Sequence, residues 1–420
     1  MSTHSQPVAA EARLFSLDLI RGVALYGIFI MNMPGFSHSS YAEANGVQLA
    51  HAWLDQLFDT FRELLFAGKF NSLFCLLFGY GFALQLARLQ RDAPTRATVT
   101  YLRRLGALLL IGVLHGALLW PGDVLHLYAL LGFLLLLLHR RSDRVLIGIF
   151  IACALFPLAY GLMRFHWINP EVSAYLAQES ARWVANDNLA YGQGGFWDAV
   201  AESISMFGYN HTSIYNLRGL GNYSVQLFAS MLLGYLAGRH GYLQAGADRL
   251  SQLKRLQWLS LVTGLGCTVL VALTLPYAGT IASSPAKLLF SLGQAWGRLA
   301  LALFYALTLA RLALLPNWHQ RLAPLATMGR MPLSNYLLQT LLGIFIFYHW
   351  GLGYWNQAGP MAEVLLATAL FLGVQMPLST WWLKRHRYGP LEYAWRVLTY
   401  GRRSTGSSAL PAPTQPGLSG

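Results

Sequence analysis

The sequence predicts an all-α protein, a polytopic membrane bundle of about ten spanning helices with both termini cytoplasmic. Three observations predict it. The 420 residues are 55% hydrophobic and 11% charged, whereas a soluble domain carries about 25% charged residues. Apolar runs recur along the chain near the length, roughly 20 residues, that crosses a bilayer. Lys and Arg are distributed unevenly between alternate loops: 22 fall on the side of the termini and 6 on the other, which sets the orientation.

Residues 1–13 are polar and expected to be disordered; residues 14–403 form one integral membrane domain. Its N-terminal helices occupy 14–162, with spans at about 14–33, 70–86, 105–120, 124–138 and 145–162. Between the first two lies an amphipathic segment, Trp53–Phe66, whose Leu54, Leu57, Phe58, Phe61 and Leu65 keep helical spacing. That segment suits the membrane interface. The third and fourth spans form a hairpin around Pro121-Gly122-Asp123. Residues 163–222 form an outer loop rich in Trp, Tyr, Asn and Gly, with short interfacial helices at Glu171–Trp183 and Phe196–Phe207. The C-terminal helices occupy 223–403, with spans at about 223–237, 256–275, 288–310, 332–349 and 361–382. The span at 288–310 contains Gly293-x-x-x-Gly297, a close-packing signal between membrane helices. Residues 404–420, rich in Ser, Pro and Gly, read as a disordered tail.

The net charge of +13 belongs to the cytoplasmic loops in such a chain and does not call for nucleic acid. Cys75, Cys153 and Cys267 all sit in apolar spans, so neither a disulfide framework nor a zinc site is indicated, and no metal is expected. The first apolar run is too long for a cleavable signal peptide and carries charges where such a peptide is bare. A P-loop, a dinucleotide fingerprint, His-Glu-x-x-His and Gly-x-Ser-x-Gly are all absent, which argues against ATP hydrolysis and metalloprotease chemistry.

The informative residues are the polar ones inside apolar runs. Asp18 and Arg21, one turn apart in the first span, can pair. Asn32 lies fourteen residues beyond Asp18, on the same face and about 21 Å along the axis. That face is polar at both ends and must look into protein. In the hairpin, His115 precedes Trp120 and Asp123; a carboxylate beside an imidazole fixes its tautomer and raises its basicity. The alternative for His115 is a packed histidine bonded to a carbonyl. Lys69 reads most simply as a snorkelling interfacial lysine. Arg298 is either an anion site or the partner of another buried polar group. Asn335 and Gln339, four residues apart, share a helix face with bonding to a neighbouring helix as the plain account. Lys69, Arg298, Asn335 and Gln339, with Asp18, Arg21, Arg330 and Tyr336, are the candidates for substrate or cofactor binding. His38, His51, His211 and His349 fall in outer loops or edges and read as surface residues.

Together these segments resemble the YeiB-like family of bacterial inner-membrane proteins. The matching stretches are Leu17-Asp18-Leu19-Ile20-Arg21-Gly22 with Met31-Asn32, Gly68-Lys69-Phe70, and Leu77-Phe78-Gly79-Tyr80-Gly81-Phe82. His115 with Trp120 and Gly122-Asp123-Val124-Leu125 follows. Gly329-Arg330-Met331 with Ser334-Asn335-Tyr336-Leu337-Leu338-Gln339, and Tyr388-Gly389-Pro390-Leu391-Glu392, complete the set. The C-terminal half is similar to that family's domain of unknown function 418. More distantly, the spacing of Asp18, Arg21, Gly22 and Asn32 resembles the opening of transmembrane acyltransferases of the heparan glucosaminide N-acetyltransferase type. That resemblance implies transfer of an acyl group from cytosolic acyl-CoA across the membrane, with Asn32 near the acyl centre. Those enzymes use a histidine shortly after the asparagine, where this chain offers His38 and His51. YeiB-like proteins instead carry the histidine that matches His115.

The expected function is therefore an acyltransferase in the bacterial cytoplasmic membrane. It would take acyl-CoA as donor and a small molecule or glycan at the outer face as acceptor. His115, Asp123 and Asn32 would be the catalytic residues. One alternative is a transporter of a small metabolite, with Asp18, Arg21 and Arg298 lining its path. Another is a non-catalytic scaffold. The lipid bilayer is an expected partner, nucleic acid is not expected, and a homo-oligomer is compatible with all three readings.

Overall fold

The computed structural model describes residues 10–42, 52–242, 250–278 and 280–401. The tail at 404–420, residues 1–9 and His51 lie outside the described residues. Helix α1 (Ala10–Ser37) already includes 10–13. It is followed by α2 (Trp53–Leu65), α3 (Lys69–Asp92), α4 (Ala97–Leu118), α5 (Leu125–Leu138) and α6 (Asp143–Trp167). Next come α7 (Pro170–Ala190), α8 (Phe196–Thr212), α9 (Ile214–Arg239), α10 (Leu250–Thr274) and α11 (Pro285–Leu312). The last are α12 (Pro316–Gly329), α13 (Pro332–Phe347), α14 (Pro360–Leu370), α15 (Met376–Leu383) and α16 (Pro390–Tyr400). No strand occurs among the described residues. The protein is an all-α polytopic helical bundle.

Among the described residues, seven helical segments are long and apolar enough to cross a membrane: 15–37, 53–92, 97–118, 143–167, 251–277, 285–312 and 360–383. Helices α5 and α13 are apolar but shorter. At 1.5 Å per residue the 16 residues of α13 reach only about 24 Å, less than the roughly 30 Å hydrocarbon core. The span expected at 223–237 is the C-terminal part of α9, whose N-terminal turns are more polar. Between α6 and α9 the chain forms α7 and α8.

Helix α1 is the axis of the bundle. Ile20, Leu25, Phe29, Ile30, Met33 and Phe36 on it are essentially inaccessible, and α3, α11, α12, α13 and α14 pack around it. Two helix crossings close at reciprocal glycines. A Cβ on Gly22 would lie 1.9 Å from the Leu325 carbonyl oxygen of α12, and one on Gly329 would lie 1.8 Å from that of Asp18. Between α3 and α9 the same holds for Gly79 against Met231 and Gly234 against Leu76, each at 1.9 Å. Small residues permit such backbone approach where lipid offers no hydrophobic drive to association. Gly293 and Gly297 of α11 face Cys267 of α10.

Helix α2 turns its apolar face outward: Trp53, Leu57, Phe61 and Leu65 are exposed. Its polar face turns in, and Arg62 is buried. This is the orientation of a helix whose apolar side meets lipid.

Candidate functional site

The main cluster is built by the α4–α5 hairpin. The intervening turn folds tightly because Gly112 and Gly116 leave room on α4. A Cβ on Gly112 would lie 2.3 Å from the His126 backbone nitrogen, and one on Gly116 would lie 3.3 Å from Asp123 Cβ. His115 sits between these glycines, and its Nδ1 lies 2.8 Å from Asp123 Oδ1. Asp123 Oδ2 accepts the His126 backbone N–H at 3.2 Å and faces His126 Nδ1 at 2.9 Å. From α13, the Tyr336 ring packs against the His115 ring, and the Thr340 hydroxyl lies 3.0 Å from His115 Nε2. His115 is 2% exposed, Asp123 4% and Thr340 0%.

Hydrogen-bond partners fix the proton positions. Burial pushes the Asp123 carboxyl up, but the His115 and His126 rings outweigh it and hold it below the usual carboxylate range. An ionised carboxylate only accepts, so both Nδ1 atoms that face it carry hydrogen. His115 Nε2 is then the basic nitrogen, facing a hydroxyl. His126 Nε2 lies 3.0 Å from His211 Nε2, and His211 Nδ1 donates to the Phe207 carbonyl oxygen at 2.7 Å. His211 is therefore part of the site, not the surface histidine its position suggested.

This hairpin is tied to the end of α1 nearest Ser37. Trp120 Nε1 donates to the Gly35 carbonyl oxygen at 2.9 Å, and the Trp120 and Phe36 rings are 4.7 Å apart. Asn32 lies one turn earlier on α1. It is half-buried and makes no side-chain hydrogen bond among the described residues.

A second polar cluster covers the same end. Glu363 of α14, 1% exposed, receives Arg62 Nη1 of α2 at 2.6 Å and the Ser37 hydroxyl. His38 Nε2 lies 3.6 Å from Glu363 Oε1 and is 6% exposed. His38 is thus buried beside the Arg62–Glu363 ion pair and is not a surface residue, whereas His349 is exposed as expected. The adjacent Ser39 hydroxyl donates to Asp187 Oδ2 of α7 at 2.5 Å. Burial and the nearby Glu202 push Asp187 up to about 7, against the Ser39 hydrogen bond.

The remaining candidates lie elsewhere. Lys69 is 3% exposed, and its ammonium donates to the Glu63 carbonyl oxygen at 2.8 Å, so it turns inward instead of snorkelling. Gln294 of α11 donates to the Glu63 carboxylate. Arg298 packs against Gly68, and its buried Nε has no hydrogen-bond partner among the described residues. Asp18 and Arg21 pair at 2.8 Å, beside Gly329 and the exposed Arg330. Eighteen residues of α1 separate Asp18 from Phe36, about 27 Å of helix, so this pair and His115 occupy opposite ends of the bundle. Asn335 and Gln339 bond helix to helix. The Ser379 hydroxyl donates to Asn335 Oδ1 at 3.1 Å, and Gln339 Nε2 donates to Gln375 Oε1 and the Leu25 carbonyl oxygen, each at 3.2 Å. The Tyr388–Glu392 stretch caps α13: Glu392 accepts from the backbone N–H groups of Leu333 and Ser334 at 2.6 and 3.1 Å.

Sequence reasoning missed His126, Thr340, Arg62, Glu363 and Asp187. His126 carried a usable signal, since Asp123-x-x-His126 at a helix start brings the two side chains together. The others are joined across more than a hundred residues of sequence, and no local pattern marks them.

Comparison with known proteins agrees with the arrangement of motifs. A family described as "Protein of unknown function (DUF418)" matches residues 237–402, from the end of α9 through α16. The chain is 31% identical to "Uncharacterized protein YxaH" of Bacillus subtilis (strain 168) over 405 residues, covering 94% of this chain and 96% of that protein. It is 28% identical to "Uncharacterized protein YeiB" of Escherichia coli (strain K12) over 408 residues, covering 92% and 96%. With the Asp18–Arg21, His115–Asp123 and Ser334–Glu392 segments all in place, and similarity running almost end to end, the chain belongs to the YeiB-like family of membrane proteins.

Proposed function

We propose that this protein is a transmembrane acyltransferase of the bacterial cytoplasmic membrane, passing an acyl group from cytoplasmic acyl-CoA to a hydroxyl or amine at the outer face. The observation that carries the reading is the buried Asp123–His115 pair, whose Nε2 faces a hydroxyl at 3.0 Å. In the reaction His115 Nε2 takes the acceptor's proton as its oxygen or nitrogen attacks the thioester carbonyl. A new C–O or C–N bond forms, the C–S bond breaks, and the proton held on His115 Nε2 passes to the departing sulfur, so that CoA leaves as its thiol and the base is restored. Asp123 keeps hydrogen on Nδ1 and stabilises the imidazolium, as a carboxylate does beside a catalytic histidine. Asn32, with its amide uncommitted, would donate to the developing oxyanion; such a donor is worth about 3 kcal/mol. Arg21 and Arg330, at the other end of α1, suit the phosphates of the donor.

The test is transfer of labelled acyl groups from acyl-CoA by the purified protein in nanodiscs. His115→Ala should slow it by about 10²-fold or more; an unchanged rate overturns the assignment.

A transporter is the second reading. It is favoured by the Glu63–Lys69–Gln294 cluster beside the partnerless Nε of Arg298, because ionisable groups within spans mark translocation paths. Uptake into proteoliposomes without acyl-CoA would support it over the first.

A further inference from the structure

An open groove runs between α12 and α15 on the outside of the bundle, at the arginine-rich end. Its volume is about 470 Å³. Leu372, Met376, Pro377 and Trp381 supply an apolar wall, and Lys384 and Arg385 stand at its mouth. Both walls are helices that carry a proline. Pro324 lies inside α12, and α15 follows a π-helical turn, residues 371–375, with Pro377 in its first turn. Such interruptions bend helices and keep them from packing flush. The groove is their consequence, a gap at a crossing that side chains do not fill.

We propose that this groove holds an anionic glycerophospholipid, with its phosphate at Lys384 and Arg385 and an acyl chain along Leu372 and Met376. Three observations carry the assignment. Lys384 and Arg385 are exposed, have no acidic partner among the ion pairs of the described residues, and sit where the chain leaves its last long apolar segment at Leu383. A phospholipid phosphate lies at that same depth, just outside the hydrocarbon boundary. The Arg385 guanidinium is positioned 4.7 Å from the centre of the Trp381 ring, and Trp381 is 48% exposed. The pair forms one amphipathic edge of the kind that anchors at an interface. Below it the wall turns apolar, with Leu372 52% exposed, so charge and apolar surface follow one another in the order of a lipid molecule. A soluble anion would use the two cations and leave the wall bare.

The inner side of the same wall carries Gln375 and Ser379, both buried and bonded to Asn335 of α13. A lipid held in the groove therefore braces the π-helical turn from outside while α13 holds it from inside.

The experiment uses the full-length protein in detergent, without acyl-CoA. Phosphatidylglycerol, phosphatidylcholine with the same acyl chains, and inorganic phosphate are titrated in turn. Native mass spectrometry and thermal shift are the readouts. Phosphatidylglycerol should remain bound and raise Tm; phosphatidylcholine should bind about tenfold more weakly and inorganic phosphate not at all. The double variant Lys384→Gln/Arg385→Gln, confined to exposed side chains, should bring phosphatidylglycerol down to the level of phosphatidylcholine. Thr380→Trp, which fills the groove, should weaken both lipids. Equal retention of the two lipids, or phosphatidylglycerol binding unchanged in the double variant, overturns the proposal. A response to inorganic phosphate as large as that to phosphatidylglycerol would overturn it in favour of a simple anion site. None of these outcomes depends on the acyltransferase reading.

Discussion

His115 and Asp123 meet across the α4–α5 turn with Nδ1 2.8 Å from Oδ1, at a point where two glycines remove the side chains that would keep them apart. The pair fixes which imidazole nitrogen is basic. Asp123→Asn keeps the size of the side chain but lets an amide N–H face Nδ1, so the ring is no longer held in the productive tautomer. Transfer from acyl-CoA should fall by about 10²–10⁴-fold with KM little changed. The comparison of Tm between variant and wild type separates lost catalysis from lost folding. A variant as folded and as fast as wild type would remove Asp123 from the mechanism.

Thr340 completes a carboxylate–imidazole–hydroxyl series, and a hydroxyl in that position can be either a nucleophile or the placeholder for an acceptor. Its complete burial on α13 favours the placeholder. Thr340→Val should keep acyl transfer within about tenfold of wild type, because the acceptor brings its own hydroxyl to Nε2. Loss of transfer together with loss of a covalent acyl adduct on the protein would instead assign Thr340 as nucleophile.

The bundle was legible because apolar run length depends on bilayer thickness alone, and the His115–Asp123 pair was legible because eight residues and a turn separate its members. The Asn335 and Gln339 bonds also follow from one helix face. What stayed hidden depends on packing between distant helices. Nothing near Arg62 announces Glu363, and nothing near Thr340 announces His115. His38 and His211 read as surface residues because they lie in segments between spans. Glu363 of α14 then comes to lie beside His38, and α8 brings its own His211 against His126 of α5. Composition also could not show that α2 turns its charges inward, since an amphipathic helix has the same pattern whichever side faces lipid.

Asp187 supplies a pH dependence outside the spanning helices. Its ordinary value is near 3.8, and burial, aided by Glu202, moves it to about 7. Between these limits the folded protein binds a proton that the unfolded chain does not, so the stability it contributes is full below about 3.8 and is lost as pH rises to about 7. The upper bound is about 4 kcal/mol. Asp187→Asn cannot ionise. Its Tm relative to wild type should therefore rise between pH 5 and pH 8, on the order of the pH range that brackets the shift. A difference that stays flat, or runs the other way, would mean that Asp187 is ionised throughout in the folded protein.

The reciprocal glycines at the α1–α12 crossing set the height at which α1 stands in the bundle, and so the level at which Trp120 meets Gly35 and Phe36. Any Cβ on Gly22 or Gly329 would overlap a backbone carbonyl oxygen, at 1.9 and 1.8 Å, and backbone cannot rotate away as a side chain can. Gly22→Ala and Gly329→Ala should each cost about 1–3 kcal/mol and lower Tm in detergent. Gly106, inside α4, provides the contrast: a Cβ there meets nothing within 4 Å. Gly106→Ala should be neutral or stabilise by up to about 1 kcal/mol through helix propensity alone. If all three alanines behaved alike, the glycines would matter for backbone freedom and not for contact. Because α1 carries Asp18 at one end and Asn32 near the other, a shift at Gly22 moves both ends together. Gly22→Ala should therefore lower acyl transfer more than its loss of stability explains, although it lies far from His115.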